Sequence, residues 1–224
     1  MNLFLKLLFT VCVVISILPL LSCFAYADNA MIDDLSKDGW ESRFMNQQKL
    51  EALKSDSNFN KLIRIADNGG LDWRIRIRAI KILGEMRYHK AMPYIIAMFN
   101  DPFFSNECPS IKSYVATALG NYSDYTVVTA LIDGIDDAEI LVREEAIKSL
   151  GKIGSKRAVS HLANALNDRS FAVKIAAIRS LSQIGDSSAV TLLRNIINGN
   201  DDALLKSEAA AAIDILMKQP LSVR

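Results

Sequence analysis

From Leu71 to Met217 apolar residues recur at helical spacing, and the recurrence is itself repeated. Val142, Ala146, Ile147, Leu150 and Ile153 fall at i, i+4, i+5, i+8 and i+11, which paints one face of an α-helix. The phrase from Val142 to Gly154 returns 31 residues later, from Val173 to Gly185. Aligned on its central leucine, two earlier copies emerge, and Leu83, Leu119, Leu150 and Leu181 stand in one column separated by 36, 31 and 31 residues. A second amphipathic segment follows each phrase, over 91–101, 127–137, 158–168 and 189–198. Two helices sharing one spacing predict a solenoid, in which each unit buries its apolar face against its neighbours. Gly151 and Gly154 sit where the first helix is expected to end. No alternating strand pattern occurs after the N-terminal run, so the chain reads as all-α.

The ends depart from the period. Residues 204–217 carry only a first helix, rich in Ala, which reads as a C-terminal cap. Upstream of Leu71, 60–67 reads as the second helix of a degenerate unit, and 32–53 reads as helical with an interruption at Gly39. Residues 1–27 are foreign to the rest: Lys6 is their one charge, and Leu7 to Leu21 is almost wholly apolar. Ala25 and Ala27 offer small residues at the positions a signal peptidase reads, so cleavage before Asp28 is expected. Leu20-Leu21-Ser22-Cys23 offers a second route, in which Cys23 is lipidated and becomes the new N-terminus. Retention as an anchor is a third, since 3–21 just spans a bilayer. The expected organisation is a signal peptide at 1–27, an N-terminal helical cap with a degenerate repeat at 28–70, and the repeat solenoid at 71–219. The expected location is periplasmic or secreted, with an outer-membrane lipoprotein as the alternative.

The repeated wording, Val-Arg, Ala, Leu-Gly, Ile-Gly and then Ala-Val, Leu and Leu-x-Asp, resembles HEAT-like repeats of the short type named after phycobilisome lyases. It is fullest from Val142 to Asn198. Ser182 replaces a Gly, Pro appears in the second helix only as Pro93, and the last unit is abbreviated. The resemblance implies a right-handed α-solenoid of stacked antiparallel helix pairs whose second helices line the concave surface. It also implies a ladder in which Asp101, Asp137, Asp168 and Asp202, with Lys112, Arg143, Lys174 and Lys206, tie units together and cap helix starts.

Composition removes several function classes. The 26 Lys and Arg stand against 25 Asp and Glu, so nothing favours nucleic acid as a partner. Only His89 and His161 occur, in different units, and Cys108 is the single cysteine after the leader, so no metal-ligand spacing exists. Cys108 is open to two readings, a small buried hydrophobe or a thiol that pairs with a partner. Glycine-rich phosphate loops and serine-nucleophile motifs are absent. We expect no catalytic residue, cofactor or metal. Arg74, Arg78 and Lys81 share one helix face and read as a solvated stripe or a contact for an acidic partner or lipid headgroups.

The remaining candidates are binding positions. In the second helices the outward positions include Asp133, Ser160, Asn164, Asn167, Thr191 and Asn195, with Arg194 beside them. This ramp of short hydrogen-bonding side chains is the expected protein-binding surface. The longer step places an insertion at 101–109, bracketed by Pro102 and Pro109. Its Phe103 and Phe104 are expected either to anchor a partner or to cap the gap between units. The sequence thus predicts an exported scaffold that docks an unidentified protein, attached to membrane only through the leader or a lipidated Cys23. A bilin lyase-like or chaperone subunit, acting on a tetrapyrrole-binding protein, is the alternative the resemblance carries.

Overall fold

The structure is a computed structural model that describes residues 29–104, 108 and 110–218. The signal-peptide and Cys23 readings lie outside the described residues. Among the described residues every regular element is helical. Residues 29–36 form α1. Then come α2 (Trp40–Phe44), α3 (Gln47–Ala52), α4 (Asp56–Asp67), α5 (Trp73–Met86) and α6 (Met92–Asn100). They are followed by α7 (Ile111–Leu119), α8 (Tyr125–Asp133), α9 (Ile140–Ile153), α10 (Val159–Ala165), α11 (Phe171–Ile184), α12 (Ala189–Asn198) and α13 (Ala203–Lys218). Among the described residues no helix is long and apolar enough to cross a membrane.

One local device recurs along the chain, at the start of α5, α8, α9, α11, α12 and α13 and at the turn into the insertion. Asp72, Asp101, Asp124, Asp137, Asp168, Asp186 and Asp202 each accept a hydrogen bond from the backbone N–H two residues on. Such a turn satisfies a donor that the first helical turn leaves free. The phrase helices α9 and α11 stop where Gly154 and Gly185 adopt φ of 74° and 76°, in the left-handed region. Gly151 does not end α9, contrary to the sequence reading; it lies inside the helix, pressed against the next unit.

Two layers result. The phrase helices α5, α7, α9, α11 and α13 stack side by side, and α4, α6, α8, α10 and α12 form the other layer. Each second-layer helix packs mainly on the phrase helix that follows it, giving pairs α4–α5, α6–α7, α8–α9, α10–α11 and α12–α13. The terminal phrase helix is therefore the second half of a complete pair, and α4 is the first half of one. Ile80, Leu83, Leu119, Leu131, Ile147, Leu162, Leu181 and Leu193 are fully buried between the layers.

The phrase layer is closely spaced. A Cβ on Gly120 would lie 2.6 Å from Ser149 Oγ, one on Gly151 2.6 Å from Ser180 Oγ, and one on Gly84 2.8 Å from the Ala118 Cα. Hydroxyls tie the same seams, with Ser149 Oγ donating to the Ala116 carbonyl and Ser180 Oγ to that of Ile147, both at 2.9 Å. Tyr122 Oη donates to the Leu83 carbonyl at 2.7 Å. Second-layer neighbours touch over far fewer residues. A stack tight on one side and splayed on the other bends toward the tight side. The phrase helices therefore take the inner side of the bend, the reverse of the side implied by resemblance.

The insertion separates two adjacent rings. Phe103 is 72% exposed, whereas Phe104 is 6% exposed. Phe104 is thus not a surface anchor: the Arg76 guanidinium sits 4.9 Å from its ring centroid and also bonds the Ala66 and Phe104 carbonyls. Burying the ring lets it close the seam between units. Cys108 is partly buried against the core.

Candidate functional site

The inner layer carries a groove of about 810 Å³ between α9 and α11. Its charged walls are Glu144, Lys148, Lys152 and Arg179, and its floor includes Gly151, Ala176 and Ser180. The floor is low because the Gly151–Ser180 contact draws the two backbones together, and only small side chains fit there. Lys148 Nζ lies 2.7 Å from Glu144 and 2.8 Å from Glu145. Burial would depress its pKa, but the hydrogen bonds and charges of these two carboxylates outweigh that and raise it. Arg179 makes a two-point pair with Glu208 of α13, at 2.9 and 2.6 Å. The hydrogen bond and charge hold Glu208 below the usual carboxylate range. Lys152 bonds a neutral partner, Asn121 Oδ1, at 2.6 Å.

The stripe expected from sequence is present as an exposed surface on the splayed layer. Asp133, Ser160, Asn164, Asn167, Thr191, Arg194 and Asn195 are all exposed. None of them lines the groove between α9 and α11. Phe103 is exposed on the insertion, apart from that stripe in sequence. The basic cluster is partly absorbed into packing. Arg78 bonds the Leu35 carbonyl and lies 5.7 Å from the Trp40 ring centroid, and Lys81 sits between the Trp40 and Tyr114 rings at 6.0 and 5.3 Å. Two rungs of the expected ladder form. Lys112 pairs with Asp137 at 2.7 Å, and Arg143 pairs with Asp168 at 2.9 Å while also bonding the Asp137 and Ala138 carbonyls. Sequence reasoning missed the groove, although the phrase positions themselves held its signal: Ala176 stands where the equivalent residues are Tyr114 and Glu145.

Among the described residues no group of three or more His, Cys, Asp or Glu is arranged to hold a metal ion. Both histidines are exposed. The sequence matches the HEAT repeats family over residues 103–171 and 131–214, together half of the chain. The chain belongs to the HEAT-repeat family. A comparison with curated proteins found no match. Among solved structures, this HEAT solenoid is similar to the complex of CpcE and CpcF of phycocyanin lyase from Nostoc sp. PCC7120. That match has 19% identity and a TM-score of 0.56, covering 69% of this chain and 96% of that one. It is also similar to a designed armadillo repeat protein in complex with the peptide (KR)4, at 14% identity and a TM-score of 0.58, covering 84% and 98%. At these identities the likeness is one of fold.

Proposed function

We propose that this HEAT solenoid is an exported, non-catalytic scaffold that docks a protein partner on its inner, phrase-helix layer. The observation that carries the reading is the groove between α9 and α11, a concave and partly charged site on the side toward which the stack bends. Export follows from the apolar leader and the small residues before Asp28. The solved relatives support docking in kind, since one is a two-protein complex and another holds a peptide.

Affinity capture with the chain from Asp28 onward, read by mass spectrometry, tests this with paired variants. Lys148→Glu with Arg179→Glu is expected to lose the specific partner, and Asn164→Lys with Asn195→Lys is expected to keep it. The opposite pattern moves the site to the second-layer stripe. Capture of no specific partner by the unaltered chain sinks the docking reading.

A further inference from the structure

We propose that the groove between α9 and α11 receives a carboxylate side chain from an acidic segment of the partner, completing a rung that the repeat leaves open. This deepens the docking reading and rests on it.

The phrase helices provide their own template. At three of the four seams the residue two before the central leucine meets a residue at one fixed position of the next phrase helix. At the α5–α7 seam Lys81 lies 5.3 Å from the Tyr114 ring centroid. At α7–α9 Thr117 Oγ1 donates to Glu145 Oε2 at 3.1 Å. At α11–α13 Arg179 pairs with Glu208. At α9–α11 the corresponding residues are Lys148 and Ala176, and a methyl group cannot receive the ammonium. Lys148 folds back instead onto Glu144 and Glu145 of its own helix. The groove lies at this one seam, and its lining includes both residues.

The chemistry of the vacancy selects its occupant. Two of the three filled seams carry a carboxylate at the position of Ala176. Lys152 lines the same groove and, among the described residues, bonds the neutral Asn121 amide oxygen, so one ammonium there has a hydrogen-bond partner without charge. The Lys148 pairs are half-exposed contacts within one helix, a class that contributes little and exchanges readily. An incoming carboxylate between Lys148 and Lys152 would gain two ammonium partners in a partly enclosed site. Gln183, whose Oε1 lies against Gly151, adds an amide at the same wall.

The probe is a fluorescent peptide alternating Glu and Ser, titrated against the full chain at low ionic strength and read by anisotropy. A peptide alternating Lys and Ser serves as the control. The acidic peptide is expected to bind at least about tenfold tighter than the basic one. Ala176→Glu, which supplies the missing carboxylate from within, is expected to weaken acidic-peptide binding by about tenfold or more, and Lys152→Ala to weaken it several-fold. Because Ala176 is nearly buried, circular dichroism verifies that variant's fold, and the exposed Lys152 position decides the matter if it fails. Equal affinity for the two peptides, no binding of the acidic one, or binding indifferent to Lys152→Ala overturns the proposal. Each of those results leaves the docking reading to stand or fall on the capture experiment.

Discussion

Gly151 and Gly154 look alike in the sequence and have separate roles. Gly154 takes a left-handed backbone that ends α9, whereas Gly151 lets α11 approach closely. Gly to Ala inside a helix ordinarily stabilises by about 1 kcal/mol. At Gly151 a Cβ would meet Ser180 Oγ at 2.6 Å and Ser180 Cβ at 2.7 Å, and overpacking of that kind costs about 1–3 kcal/mol. Set against the gain of about 1 kcal/mol, overpacking in the middle of that range wins, so Gly151→Ala is expected to lower stability by about 1 kcal/mol and by no more than about 2 kcal/mol. Adding Ser180→Gly should recover part of that loss, and strictly additive losses in the two-variant cycle would show that the seam contact is not the cause. The two phenylalanines teach the same limit. The 36-residue step revealed the insertion, but adjacent identical residues give no sign of which ring turns inward. That choice depends on Arg76, 28 residues away in sequence from Phe104 and in contact with it.

At the scale of elements, most of the architecture was legible, because helical periodicity and aspartate turns are local. The phase of the pairing was not. Sequence order suggested that each phrase helix pairs with the helix after it, while packing joins it more extensively to the helix before it. Arg143 shows how that pairing is fixed, since it bonds the Asp137 and Ala138 carbonyls before α9 and the Asp168 carboxylate before α11. Burial raises the Asp168 pKa, but the Arg143 and Ser170 hydrogen bonds and the nearby guanidinium charges outweigh it and hold it low. A depressed carboxylate stabilises the fold above its unfolded value, near pH 4, and that contribution is lost as pH falls through the folded value. Asp168→Asn is expected to cost on the order of 3 kcal/mol at neutral pH, because Arg143 is nearly buried. The variant's deficit should shrink on acidification, and melting curves from pH 7 to pH 3 check it. A deficit that stays constant over that range would mean the rung does not titrate.

For the whole molecule, the side toward which the stack bends was hidden from the sequence. Bending is set by distances between helices far apart in the chain, and the Gly–Ser seams that fix those distances read as ordinary small residues. The candidate site was hidden for the same reason: Ala176 signals a gap only once Lys148 is known to face it. Each helix pair contacts mainly its neighbours, so stability is expected to be highest mid-stack. Hydrogen exchange should therefore protect the amides of α9 and α11 longest, with α2, α3 and α13 exchanging first. Uniform protection from end to end would instead indicate a single cooperative block.

The glycine–serine seams also set how the molecule responds to load. Backbones already in contact cannot move closer, and the serine hydroxyls resist their separation, so the inner layer behaves as a strip of fixed length. The outer layer has slack between its helices. A bound object larger or smaller than the groove would be accommodated by fanning or folding the outer helices about that strip, as a folding fan opens on its rivet. Stiffness would thus be concentrated along the phrase-helix layer and compliance in the opposite layer.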